Sequence, residues 1–148
     1  MSLAGAAVGC AFCRIVSGAL QVALVLEDEQ TLAFLDHRPL FAGHCLLVPR
    51  AHVATLGDLP GELLQPLFGA AQRLTVALER ALKAQGSFVA INNRVSQSVP
   101  HLHVHVVPRR AKDGLRGFFW PRQRYESAAA MEQVRAAIAQ AVDSVRRS

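Results

Sequence analysis

The chain has 148 residues, 51% hydrophobic and 18% charged, the balance of one globular domain with its own core rather than a disordered or disulfide-stapled chain. No apolar run approaches the roughly 18 residues that span a bilayer, and Met1 to Cys10 lacks a basic n-region, so a cytoplasmic protein is expected. The net charge of +5 suits a solvated basic surface or a phosphate-bearing substrate, but no basic tract is interleaved with stacking aromatics, so polymeric nucleic acid is not expected as a partner.

Gln21 to Glu27 and Thr31 to Asp36 are short apolar runs around Asp28-Glu29-Gln30 and predict a hairpin. His44 to Pro49, introduced by Gly43, predicts a third strand. From Pro60 to Gln85 apolar residues fall at Leu63, Leu64, Leu67, Phe68, Ala71, Leu74, Leu78 and Leu82, a helical period with Pro near the start and Gly86 just past the end. Ser87 to Asn92 and His101 to Val107 predict two more strands, the second closed by Pro108. Basic residues then accumulate at Arg109, Arg110, Lys112, Arg116, Arg122 and Arg124. Gly117 to Tyr125 gathers Phe118, Phe119, Trp120 and Tyr125, either core packing or an interface, and Ser127 to Arg147 predicts a second amphipathic helix with basic residues near its C-terminus. The order βββ, α, ββ, α favours an α+β domain with a mostly antiparallel sheet.

The chemistry concentrates in His101-Leu102-His103-Val104-His105-Val106-Val107, which holds half of the chain's six histidines. On a strand the three imidazoles share one face, roughly 7 Å apart, and Leu102, Val104 and Val106 share the other. Such a row serves either as a metal site or as a nucleophilic and acid–base centre. Cys10-x-x-Cys13 on its own is common to zinc sites and redox pairs, and the order of elements does not offer the βαβ context of a redox fold. Cys45, in an apolar strand, is expected to be a buried core thiol.

The run from His101 to Val107 resembles the histidine triad (HIT) family pattern, His-x-His-x-His followed by two apolar residues, at every position. Gln97-Ser98-Val99 before it, Pro108-Arg109 after it, Gly43-His44 through Arg50-Ala51-His52, Leu32 to Asp36 and Cys10 to Ile15 are similar to the family's other segments, in order, from Cys10 to Arg109. The resemblance implies a HIT-like fold, a mostly antiparallel five-stranded sheet with two main helices. It implies one domain over residues 1–148, with core motifs at 10–109 and the aromatic segment and helix at 115–147. It also implies a nucleotide hydrolase or nucleotidyl transferase acting on the α-phosphate of a nucleoside 5′-phosphate derivative, with adenine favoured. AMP amides, acyl-adenylates and dinucleoside polyphosphates are the substrate types. His103 would be the nucleophile, His105 would bind the phosphate and protonate the leaving group, and His44 and His101 complete the catalytic set. Phe12, Ile15 and Phe34 would line the base and ribose cleft, Asp36 would hold the ribose hydroxyls, and Gln97 and Ser98 would contact phosphate or leaving group. Asn93, or its neighbour Asn92, matches a phosphate- or ribose-side asparagine. The segment Asn93 to Gln97 departs from the family by being shorter and free of glycine, which puts the leaving-group preference in doubt.

Similarity to the zinc-binding Hint-like branch of the family implies a structural zinc held by Cys10, Cys13, His52 and His101, with no organic cofactor. It also implies a homodimer, with the aromatic segment around Trp120 near the interface or the leaving-group pocket. A nucleotide- and zinc-binding regulatory protein with little turnover is the alternative function.

Overall fold

The structure, a computed structural model, describes residues 7–117 and 121–145. These fall into two compact units, Met1–Ala111 and Lys112–Ser148. In the first unit a short helix α1 (Ala11–Val16) precedes β1 (Leu24–Glu27), β2 (Thr31–Leu35) and β3 (Cys45–Pro49). Two 3₁₀ turns lead into helix α2 (Leu64–Leu82), which is followed by β4 (Gly86–Ala90) and β5 (Val104–Arg109). The strands form one antiparallel sheet in the order β1-β2-β3-β5-β4. This is the expected α+β architecture, five strands included. No described helix is long and apolar enough to cross a membrane.

The two-residue period of the strands divides the sheet into two faces. Ala33, Cys45, Leu47, Leu102, Val104 and Val106 pack against Leu67, Ala70, Ala71, Leu74 and Leu78, the apolar stripe of α2. Leu32, Phe34, Leu46 and Val48 turn the other way and pack with Cys10, Phe12, Cys13 and Ile15 of the N-terminal segment. Cys45 is fully buried, as expected, and its thiol donates to the Gly43 carbonyl at 3.3 Å.

Several boundaries differ from the sequence reading. The first strand begins at Leu24 rather than Gln21. Pro60 precedes a 3₁₀ turn, Gly61–Leu63, and the helix proper begins at Leu64 with Pro66 in its first turn, where a missing N–H costs nothing. Gly86 does not end that helix. Lys83, in the left-handed conformation at φ 54°, does so, and the Arg110 guanidinium donates to the Leu82 carbonyl. Gly86 instead opens β4, which ends at Ala90, short of Asn92. Strand β5 starts at Val104 because the Leu102 N–H is diverted to the Val53 carbonyl at 2.7 Å. Pro108 lies inside β5 opposite Ser87, past the point where β3 stops at Cys45 opposite Val106. A proline fits there because, among the described residues, β5 has a strand neighbour on one side only at that point. Helix α1 was not anticipated.

In the second unit, α3 spans Ala128–Ser144. Ser127 caps it by accepting the Ala130 N–H, and no residue of the helix is buried. Its apolar residues Met131, Val134, Ile138 and Val142 are all exposed. Phe118, Phe119 and Trp120 of the expected aromatic segment, and Arg146 and Arg147 of the expected basic helix end, lie outside the described residues.

Two substitutions test this account. Leu74→Ala should lower the unfolding free energy by about 2–5 kcal/mol. Gly43 has φ +100°, and a Cβ there would run into Leu82 Cδ1 and lie 3.3 Å from Pro108 Cγ, so Gly43→Ala should cost on the order of 1–3 kcal/mol. Denaturant melts of the two variants against the parent chain check both values.

Candidate functional site

The functional side chains share the sheet face opposite α2. His105 pairs in register with Leu46, and Leu46 with Phe34, so these three form one row across the strands. One step along, the Asp36 N–H donates to the His44 carbonyl at 2.9 Å, which sets Asp36 beside His44. The alternation expected of the three histidines is therefore realised, although only His105 belongs to the strand itself. The rings of His103 and His105 lean together to 5.0 Å between centroids, closer than the spacing along an extended strand.

Helix α1 lies against these rings. The Phe12 ring meets His103 edge-on at 5.1 Å, His101 at 5.9 Å and Phe34 at 5.5 Å. Ile15 is buried in the same apolar cluster. The structure thus brings together Phe12, Phe34 and the triad.

Four donor atoms converge from three segments of chain. Cys13 Sγ lies 3.2 Å from His52 Nδ1 and 3.6 Å from His101 Nδ1. Cys10 Sγ lies 3.5 Å from His101 Nδ1, and the two Nδ1 atoms are 3.2 Å apart. A tetrahedral zinc with bonds of about 2.3 Å to sulfur and about 2.0 Å to nitrogen implies S···N edges near 3.5 Å and N···N edges near 3.3 Å, as an approximate guide. The observed separations match. His101 Nε2 is 2.9 Å from the Pro49 carbonyl, so it carries the ring hydrogen and leaves a lone pair on Nδ1, the arrangement of a ligating histidine with an outer-shell partner. Burial pushes the Cys13 thiol up and holds His101 down, to about 4. Both shifts favour the uncharged forms, and a cation among the four atoms would reverse the first of them. The residues fit a metal ion.

His101 thus has both ring nitrogens engaged away from the other two triad members. His103 makes a different bond: its Nδ1 lies 2.8 Å from the His101 carbonyl oxygen. His44 Nε2 is 2.9 Å from His105 Nδ1, the Leu40 N–H donates to His44 Nδ1 at 3.1 Å, and Asp36 Oδ2 is 3.8 Å from His44 Nε2. Asp36 Oδ1 accepts the Arg38 N–H at 2.9 Å. Burial holds His44 below its ordinary range, with Asp36 opposing. Burial and then the neighbouring His103 and His44 hold His105 down to about 4.

The polar residues ahead of the triad are placed differently. Gln97 accepts the Arg94 N–H at 2.8 Å through Oε1 and donates from Nε2 to the Ala54 carbonyl at 2.6 Å. Asn93 Oδ1 accepts the Leu56 N–H at 2.8 Å. With the Leu102–Val53 bond, these contacts zip residues 53–56 to 93–102 and hold His52 beside His101. Arg94 and Ser96 both adopt positive φ, 68° and 60°, so the short loop takes left-handed turns without glycine. Ser98 is exposed and lines a cleft with Ala7 to Ala11, His52, Ala54, Val99 and Pro100, on the side of the Cys/His cluster. The Leu40 amide and the Pro49 carbonyl were missed in the sequence because a backbone group leaves no signal in residue identity.

Comparisons with known proteins show the family. The HIT domain family model matches residues 18–112. The chain is 34% identical over 116 residues to the adenosine 5′-monophosphoramidase of Saccharomyces cerevisiae, covering 77% of this chain and 71% of that protein. Among solved structures, a Streptococcus mutans protein superposes with a TM-score of 0.85 at 33% identity, over 94% of this chain and 88% of the other. A Zn-bound histidine triad family protein of Mycobacterium smegmatis gives a TM-score of 0.70 at 36% identity, over 93% and 98%.

The depressed His105 has a thermodynamic signature. Its folded pKa of about 4 lies below the unfolded value near 6.5, so the unfolded chain binds the proton first. Stability is then lost as pH falls from about 6.5 towards about 4. Denaturant midpoints over that window should decline, and His105→Gln should make the decline shallower.

Proposed function

Because the chain belongs to the HIT domain family, we propose that it is a nucleotide hydrolase or nucleotidyl transferase in which His103 attacks the α-phosphorus of a nucleoside 5′-phosphate derivative. The observation that carries this reading is the bond from His103 Nδ1 to the His101 carbonyl. A carbonyl only accepts, so Nδ1 bears the ring hydrogen and Nε2 keeps the lone pair a nucleophile needs. Nε2 forms a bond to phosphorus while the bond to the leaving group breaks, and the leaving atom takes a proton from solvent. Water then adds to phosphorus and returns one proton to solvent, or another acceptor adds in its place, the phosphorus–nitrogen bond breaks, and His103 is restored. His105 and His44 form the polar wall beside the phosphate, where preorganised donors stabilise charge on its oxygens. Phe12, Ile15 and Phe34 supply the apolar side of the nucleotide cleft and Asp36 its ribose acid. Asn92 is a better candidate than Asn93 for the substrate-side asparagine, since Asn93 is committed to the Leu56 amide. Asn92 follows two residues after Ala90, which pairs with His105, and it is exposed. Ser98, exposed at the loop, remains open to a leaving group. The phosphoramidase named among the relatives supports an adenine nucleotide joined to an amine as the first substrate to try.

The same reading assigns a structural zinc to Cys10, Cys13, His52 and His101. Bound there, it would supply cross-linking and no chemistry at phosphorus. A homodimer belongs to the reading as well: the edge strand β4 carries no charge or proline, and Val89 on it is exposed along with Leu64, Phe68 and Val76 of α2. Light scattering of the purified chain measures that state directly.

The decisive experiment is a product assay across an AMP amide, an acyl-adenylate and a diadenosine polyphosphate, with and without added phosphate. His103→Ala should lower kcat by roughly three orders of magnitude or more while AMP still binds. Survival of turnover in that variant would remove the covalent route. Elemental analysis should find one zinc per chain, lost with a fall in melting temperature in Cys13→Ala. Metal-free protein with both thiols free would overturn the zinc assignment.

A further inference from the structure

His44 and His105 are joined by one hydrogen bond, Nε2 of the first to Nδ1 of the second at 2.9 Å. A neutral imidazole carries hydrogen on one nitrogen and a lone pair on the other, so that distance alone allows either ring to be the donor. A backbone group outside the pair decides. The Leu40 N–H, which can only donate, points at His44 Nδ1. Nδ1 must therefore hold a lone pair, and the His44 hydrogen sits on Nε2. His44 Nε2–H donates to His105 Nδ1, which leaves the His105 hydrogen on Nε2.

We propose that the Leu40 amide is a positioning group which, through His44, fixes His105 as an Nε2–H donor and denies the pair an additional proton. On His44 Nδ1 that proton would face the Leu40 N–H. On His105 Nδ1 it would face the His44 hydrogen, and shifting that hydrogen to Nδ1 meets the same amide. The loop that presents Leu40 is itself tied down: Asp36 Oδ1 takes the Arg38 N–H and the His44 N–H donates to the Phe41 carbonyl at 3.0 Å. The titratable groups facing the pair are Asp36 at the end of β2 and His103 ahead of β5. Burial of both rings acts with the amide, and the Asp36 carboxylate acts against it.

Its use rests on the nucleotide-hydrolase reading. A donor whose hydrogen stays in place across the working pH range offers a phosphoryl oxygen the same bond at every turnover. A neutral His105 gives a hydrogen bond rather than a proton, so this wiring assigns it to the phosphoryl oxygens and not to the protonation of the leaving group that the family resemblance implies.

Long-range proton–nitrogen spectra of the ligand-free, histidine-labelled protein test the proposal without substrate. Both His44 and His105 should show the Nε2–H form, and neither should protonate above about pH 5. An Nδ1–H form of either ring, or uptake of a proton by the pair above about pH 6, would overturn it. A second measurement uses reach: in His44→Gln the amide nitrogen can replace Nε2–H as donor to His105, whereas His44→Ala has no donor. The Gln variant should keep His105 in its Nε2–H form and retain about ten-fold or more of the kcat of the Ala variant, and equal values would count against the proposal. Failure of the parent protein to cleave any nucleotide derivative would sink the hydrolase reading, while the tautomer result on ligand-free protein would still decide the wiring.

Discussion

The convergence of Cys10, Cys13, His52 and His101 on one small volume is the constraint from which the site follows. Helix α1 has six residues, too few to persist alone in water, and its Cys13 lies 88 residues in sequence from the histidine it meets. Phe12 stands between the two cysteines in sequence. Bringing the thiols to His52 and His101 therefore also brings the Phe12 ring against His103. The same His101 that closes the cluster lends its carbonyl to His103, so one residue links the Cys/His cluster to the proposed nucleophile. The loop bonds of Asn93, Gln97 and Leu102 serve the same end by holding the segment after His52 alongside the approach to the triad.

Two opposing demands meet on the histidine face. Burial favours neutral rings, which keeps lone pairs available but removes positive charge from a place that would receive a phosphate. The Asp36 carboxylate beside His44 pulls the other way. The structure answers with directed hydrogen bonds in place of net charge: a backbone carbonyl under His103, a backbone carbonyl under His101 and a backbone amide over His44. Each is a main-chain group fixed by the fold, so the protonation pattern of the site is set by topology more than by neighbouring side chains.

The alternation of histidine and aliphatic residues was legible because a strand transmits period two directly into faces. Leu102, Val104 and Val106 lie against α2, and the imidazoles lie opposite. The stripe of α2 was legible through the 3.6-residue period of a helix, and the hairpin ahead of β3 through two apolar runs split by polar residues. What could not be read were features whose causes sit far away in sequence. Gln97 looks like a phosphate contact, yet its partner is a carbonyl 43 residues earlier. Asn93 bonds an amide 37 residues away. The strand starts late because Leu102 is captured by Val53. Helix α1 has too few residues for any period to register, and its contacts come from the thiol and the ring it carries.

The division of the sheet into two faces also has an evolutionary reading. Within each central strand, successive residues alternate between the α2 core and the chemistry: Ala33, Cys45, Leu47, Val104 and Val106 on one side, and Phe34, His44, Leu46 and His105 on the other. Substitutions in these strands therefore separate by parity. A change on the α2 side alters how well the protein holds together, and a change one position along falls on the face that carries the histidines. Selection can act on durability and on the proposed site through the same few strands almost independently, because a single peptide bond insulates one from the other.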